Sequence, residues 1–262
     1  EILGFLGPNG AGKTTTTKIL TGQLRPKEGK ATLLGKDIAK ETPAVRAQIG
    51  VCFEQTNLYE QMTALDNLKL FADLFNVKNF NAYALLKRVG LEGREKDKVS
   101  GYSKGMKQRL MIARALVNSP KILFLDELTA GLDPVSSEAI DNIILEERER
   151  GATVFLTTHD MWEADKLCRR VAFINKGKIE ALDTPHNLKQ KYGKRSLVAE
   201  VAAKNGLSRK EIDMDAPDTP QALERLFAEE GLPPQVAGRA SRSAVPVYEQ
   251  ATGSRTQIGQ LT

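Results

Sequence analysis

Gly7-Pro8-Asn9-Gly10-Ala11-Gly12-Lys13-Thr14 has the spacing Gly-x-x-x-x-Gly-Lys-Thr, and the rest of the chain can be placed by its relation to this stretch. Glycines at 7, 10 and 12 permit backbone conformations closed to residues with a Cβ, so successive N–H groups can turn inward toward polyphosphate oxygens. Lys13 then reaches the β- and γ-phosphates, and the Thr14 hydroxyl is placed to ligate Mg²⁺. The helix that follows, through Thr15 to Leu20, directs its positive dipole end at the anion and ends near Gly22. Ile2 to Leu6 is a short apolar run that reads as a buried strand feeding the loop. That strand-loop-helix context separates the motif from a chance glycine-rich turn.

At 262 residues with 41% hydrophobic content, the chain can bury a full α/β core, and its length suggests one large domain with an appendage. No run approaches the roughly 18 apolar residues that span a bilayer, so a membrane role requires a partner. Cys52 and Cys168 lack CxxC or metal-ligand spacing and read as packing residues in a reducing compartment. The formal charge of +5 is a small excess over 33 scattered acidic residues, which reads as a mixed solvated surface; no nucleic acid partner is expected. Glu1 already lies within the strand that feeds the phosphate loop, so the true start is expected upstream.

Beyond Gly22 a turn-rich stretch leads to an alternating strand, Lys30 to Leu34, which predicts a small antiparallel β layer. Pro43 to Gln48 starts a short helix, and the apolar strand Ile49 to Phe53 runs into Glu54-Gln55-Thr56-Asn57. Residues 63–118 read as a helical insert. It has helices over Thr63 to Phe75, capped by Thr63, and over Asn81 to Val89, then a long helix from Lys107 to Val117. Ile122 to Leu125 is apolar on both faces and predicts a central strand. Helix Val135 to Arg150, strand Thr153 to Thr157, helix Met161 to Cys168 and strand Val171 to Asn175 repeat the alternation of a parallel sheet. The predicted fold class is therefore α/β with a mainly parallel sheet. After Lys178 the pattern weakens, with short helices expected at Leu188 to Lys191 and Pro220 to Glu230 and a largely disordered tail from Pro233 to Thr262.

The strand Ile122 to Leu125 ends in Asp126-Glu127. Asp126 can hold Mg²⁺ through a water, and Glu127 is placed to polarise a water in line with the γ-phosphate. A surface turn is the bland alternative, and the four apolar residues before the pair argue against it. His159 follows another strand mouth, Thr157-Thr158-His159-Asp160, from which it could hydrogen-bond the γ-phosphate or the attacking water.

In this order, the phosphate loop, Tyr-Ser-Lys-Gly-Met-Lys-Gln-Arg-Leu from Tyr102, Asp-Glu-Leu-Thr-Ala-Gly-Leu-Asp-Pro from Asp126, and Thr-Thr-His-Asp from Thr157 resemble the ATP-binding cassette ATPases. The resemblance covers residues 1 to about 184 and implies a P-loop nucleotide-binding domain there, followed by an appendage at 185–232 and a tail at 233–262. It implies ATP as substrate, Mg²⁺ as cofactor, an ATP-binding loop from Gly7 to Thr15, and Lys13, Glu127 and His159 as catalytic groups. It further implies a head-to-tail dimer, in which Ser103, Lys104, Gly105 and Met106 form the signature that meets the partner's ATP and Asp133 reaches across. Lys104 and Met106 depart from the family's usual Leu-Ser-Gly-Gly-Gln at its third and fifth positions. The family's Mg²⁺-sensing glutamine falls on Glu54 or Gln55, and its adenine-stacking aromatic would lie before Glu1.

The signature and the appendage look like exporter ATPases of the daunorubicin-resistance type, whose permease is a separate chain. This implies a homodimer or paired cassette, peripheral on the cytoplasmic face of the membrane. The alternative is a soluble cassette acting on the ribosome or nucleic acid. Such relatives carry two cassettes or a long coiled coil, and neither is present: there is one phosphate loop, and residues 15–101 hold no heptad run. The intact Lys13, Asp126, Glu127 and His159 also weigh against an inactive regulatory cassette.

Overall fold

The computed structural model describes residues 1–40, 42–192, 195–203, 206–213, 247–251 and 254–257. Glu1–Thr184 forms one compact unit and Pro185–Thr262 a second.

The first unit is built on a sheet of six strands: β1 (Ile2–Leu6), β4 (Ile49–Cys52), β5 (Ile122–Asp126), β6 (Thr153–Thr158), β7 (Arg170–Asn175) and β8 (Lys178–Asp183), in the order β4-β5-β6-β1-β7-β8. All neighbours are parallel except β7 and β8. The carboxyl ends of β1, β4, β5 and β6 therefore open on one edge, where open α/β sheets bind ligands. Phe5, Phe124 and Phe155 stand on adjacent strands with ring centroids 5.2 and 5.4 Å apart. They pack with Ala11, Ile38 and Val45 under α1 (Lys13–Leu20) and α2 (Thr42–Arg46). Each such ring contributes roughly 1.5–3 kcal/mol of burial. Across the sheet, α5 (Lys104–Ala115) packs on β4, α6 (Pro134–Glu149) on β6 and α7 (Met161–Leu167) on β1. At Gly50 a Cβ would lie 2.2 Å from the Ala115 carbonyl oxygen, which is how closely α5 approaches β4.

The small β layer is the hairpin β2 (Thr32–Leu33) and β3 (Lys36–Asp37), shorter than the strand expected over Lys30 to Leu34 because Leu34 and Gly35 form its turn at positive φ. The helical insert comprises α3 (Ala64–Leu74), α4 (Ala82–Arg88), a 3₁₀ turn at Val99–Gly101 and α5. Thr63 and Asn81 cap α3 and α4 by accepting the Asp66 and Ala84 N–H groups at 3.0 Å each, worth about 1 kcal/mol apiece. Arg88 joins the insert to α6 through Glu146 at 2.9 Å and through Glu147.

One reading of the sequence needs correction within this unit. The long helix begins at Lys104, not Lys107, because Ser103 caps it by accepting the Met106 N–H at 3.3 Å. Gly105 therefore lies inside the helix, where a Cβ would meet Ser136 Oγ at 2.6 Å. Past Lys178, where the sequence pattern weakens, the chain still forms a strand: Lys176 and Gly177, both at positive φ, turn it into β8. As an antiparallel edge strand, β8 leaves Ile179 and Leu182 exposed, so it lacks the buried apolar run of its neighbours.

In the second unit, α8 (Pro185–Tyr192) extends the helix expected near Leu188, and β9 (Arg195–Ala203), β10 (Gly206–Asp213), β11 (Val247–Ala251) and β12 (Ser254–Gln257) form an antiparallel sheet ordered β10-β9-β11-β12. β11 and β12 thus fall in the stretch expected to be largely disordered. The helix expected at Pro220 to Glu230 lies outside the described residues.

Candidate active site

The loop from Gly7 to Gly12 joins β1 to α1, and its glycines act by two mechanisms. Gly10 and Gly12 take φ of +79° and +110°, where a side chain is strained. Gly7 is not at positive φ; a Cβ there would lie 2.2 Å from the Ile174 carbonyl oxygen of β7. The turn after β7 also fastens the loop, since Gly177 donates its N–H to the Ala11 carbonyl at 2.9 Å. Asn9, Gly10, Gly12, Lys13, Thr14 and Thr15 line one pocket together with Glu54 and Glu127. Of the two candidates Glu54 and Gln55, Glu54 is the one that lines this pocket.

Lys13 is buried at the head of α1, with Nζ donating to the Gly7 carbonyl at 2.7 Å and standing 3.0 Å from Glu127 Oε1. Glu127 Oε2 is 3.0 Å from His159 Nδ1. One carboxylate thus bridges the loop lysine and the histidine that follows β6. Glu127 has φ of +50°, a sparsely populated conformation for a glutamate, and its N–H extends the ladder to the Thr157 carbonyl at 3.0 Å. Leu128, 1% exposed, anchors the turn behind it. Asp126 is recessed, 2% exposed, and accepts from the Thr157 hydroxyl. The sequence singled out Asp126, Glu127 and His159 but not Thr157, a polar residue facing inward from an apolar strand.

These residue types suit a hard divalent cation carrying phosphate: Thr14 and Glu54 line the pocket that Lys13 and Glu127 share. The chemistry available is polyphosphate binding by loop N–H groups and lysine, with a carboxylate held ready to take a proton from water.

The remaining predicted residues gather at the starts of α5 and α6. Ser103 caps α5, and Asp133 caps α6 by accepting the Ser136 N–H at 2.9 Å. Its bonds to Ser136 hold the Asp133 carboxyl below the usual carboxylate range. Gly105 contacts Ser136, so the two helix starts touch. Lys104 spans them, its Nζ donating to the Ala130 carbonyl at 2.6 Å. Burial pushes the Cys52 and Cys168 thiols up to about 12, which fits packing roles.

Comparison with known proteins agrees with this geometry. Residues 1–130 match the family model described as ABC transporter. The fluoroquinolones export ATP-binding protein of Mycobacterium tuberculosis (strain ATCC 25618 / H37Rv) is 47% identical over 216 residues, 82% of this chain and 72% of that protein. The Nod factor export ATP-binding protein I of Burkholderia lata is 41% identical over 192 residues, 72% of this chain and 63% of its own length. Among solved structures, a dimeric ATP-binding cassette in a post-hydrolysis state bound to ADP and Pi superposes with a TM-score of 0.64 at 30% identity, covering 71% of this chain and 85% of that one. An ATP-binding subunit of an ABC transporter superposes at 0.66, also at 30% identity, covering 73% and 82%. The phosphate loop and the bridging glutamate share one pocket, the aspartate before that glutamate is recessed, and the chain belongs to the ABC transporter family as an ATP-hydrolysing cassette.

Proposed function

We propose that the chain powers an exporter by sandwiching two ATP molecules in a dimer and passing the change to a separate membrane permease. Among the described residues, no helix is long and apolar enough to cross a membrane. The two relatives above are both named as export ATP-binding proteins. Within the site, Lys13 neutralises the β- and γ-phosphates, and Glu127 takes the proton of the attacking water while His159 orients its carboxylate. Mg²⁺ would be held by Thr14 and Glu54, with Asp126 acting through a water, and would supply charge neutralisation at the phosphates. The starts of α5 and α6, with Ser103, Lys104, Gly105, Met106 and Asp133, face the partner's nucleotide. The protein is then peripheral on the cytoplasmic face of the membrane.

The observation that carries coupling is how the segment after Glu54 is held. Arg114, on α5, donates to the Asn57 carbonyl at 2.6 Å, and Asn67, on α3, takes both Tyr59 backbone groups at 3.0 Å. Lys107 pairs with Glu60 at 2.6 Å. Glu54 at the phosphates is thereby three residues from a segment fixed to the insert, and Tyr59 presents its ring to solvent. A permease helix docking there would feel any displacement of Glu54. The test replaces Tyr59 and Met62 with aspartate, which should abolish copurification with the permease and spare ATP binding by the isolated chain. Copurification at parental yield would rule the site out, and copurification of the parent with ribosomes would favour a soluble cassette.

A further inference from the structure

Glu163 is a carboxylate that the phosphate pocket does not include, yet it is 8% exposed. It stands at the third position of α7, after the cap Asp160. A glutamate there ordinarily reaches back to the N–H of the capping residue. That N–H is already taken, because Asp160 donates to Thr158 Oγ1 at 2.9 Å. Glu163 is diverted to the neighbouring loop, where Thr129 Oγ1 donates to its Oε1 at 2.8 Å. The Thr158 hydroxyl also interacts with this carboxyl. Oε2 is out of solvent and lacks a partner of full hydrogen-bond geometry among the described residues, so Thr129 is the stronger grip.

The two threonines flank the groups that do the chemistry. Thr129 lies two residues after Glu127, in the turn between β5 and α6, and Thr158 immediately precedes His159. We propose that Glu163 is a positioning residue that fixes the Glu127 turn to the His159 turn and so sets the contact between Glu127 and His159. Leu128 packs the turn from within and the Glu127 N–H holds its first residue to the Thr157 carbonyl at 3.0 Å, but neither ties Thr129 to the His159 turn. A buried carboxylate bonded to the hydroxyl of one loop and facing that of the other does. The inference rests on the reading of Glu127 as the base.

The experiment measures steady-state ATP hydrolysis of the full chain. Glu163→Ala should lower kcat about 10- to 100-fold with KM for ATP changed less than about twofold, as expected when a reacting group is displaced without touching the bound substrate. Glu163→Gln keeps an oxygen for Thr129 and should recover kcat to within about fivefold of the parent. Thr129→Val removes the other half of the bond without altering α7 and should lose kcat in the same manner. In a Glu127→Gln background, Glu163→Ala should change the residual rate less than about twofold, because the group through which it acts is gone. Parental kcat in Thr129→Val and Glu163→Ala overturns the proposal, and so does a Glu163→Ala loss that is undiminished beside Glu127→Gln. Should Glu163→Ala fail to fold, Thr129→Val alone and beside Glu127→Gln separates the same two outcomes. If Glu127→Gln by itself turned over at the parental rate, the reading of Glu127 would fail instead, and that result is separate from the others.

Discussion

Lys13 Nζ and Glu127 Oε1 stand 3.0 Å apart, so the cation that would meet a phosphate is held beside the carboxylate that would deprotonate water. Both are largely buried, at 5% and 15% exposure, which makes the pair strong and makes each partner costly to lose alone. Lys13→Ala should abolish measurable turnover and most ATP affinity, since it removes the main positive charge on the phosphates and leaves Glu127 uncompensated. Equilibrium binding of a fluorescent ATP analogue checks it, and parental turnover would sink the assignment of the loop.

Glu127→Gln keeps the shape of the bridge to Lys13 and His159 and removes the negative charge. Hydrolysis should fall about 10²- to 10⁴-fold. ATP binding should be retained or tightened, because Lys13 no longer has a carboxylate competing with phosphate for it. Loss of binding alongside activity would make Glu127 structural.

Gly7 and Gly10 separate the two uses of glycine in the loop. Gly10→Ala meets no atom within 4 Å but sits at φ of +79°, so it should cost about 1–2 kcal/mol of loop strain and only modest affinity. Gly7→Ala must displace the Ile174 carbonyl, 2.2 Å from its Cβ, and should distort the loop enough to lose ATP binding. Equal dissociation constants for the two variants would contradict this.

Residues near one another in sequence make most of the site legible. Gly7 to Thr14 carries its own geometry, and the apolar run before Asp126 announces a strand mouth. Why Gly7 is glycine is not legible, because the reason is a carbonyl on β7, far along the chain. The choice between Glu54 and Gln55 likewise needs the direction of the chain after β4. β8 escapes a reading by apolar runs because an edge strand needs none, and β9 and β10 are strands that the sequence reading does not anticipate. Glu163 does leave a signal: it shares the buried stripe of α7 with Ala164 and Leu167, a place where a charge demands a partner.

Glu163 should also register in stability. Burial raises its carboxyl above the ordinary value of 4.5, with Asp141 of α6 and the cap Asp160 adding repulsion and the Thr158 and Thr129 hydroxyls opposing. Lys166, the nearest cation on α7, is engaged by Asp141 at 2.8 Å. The folded chain holds this proton more tightly than the unfolded one, so the parent loses stability as pH rises from about 4.5 through the raised value. Glu163→Gln has no charge to desolvate. Its Tm should exceed the parent's near neutral pH, with the gap closing as pH falls toward 4.5. A gap independent of pH would show that the buried charge is not the cause.

The proposed dimer makes each site a composite of two chains, and complementation tests it. Ser103 caps α5 and lies beside α6, whose own cap is Asp133, so an arginine at 103 loses the cap and fills the space before both helix starts. Ser103→Arg should leave ATP binding by the isolated chain intact and abolish hydrolysis. Lys13→Ala should also be inert, because its own phosphate loop is disabled while its signature is intact. When the two variants are mixed, one composite site combines both defects. The other combines the intact loop of the Ser103→Arg chain with the intact signature of the Lys13→Ala chain. If each site draws its loop from one chain and its signature from the partner, mixing two inert proteins should restore activity that neither has alone. The restored rate should rise with the fraction of mixed dimer. A mixture that stays inert while mixed dimers form would count against the trans arrangement, and parental hydrolysis by Ser103→Arg alone would remove the signature from the reaction.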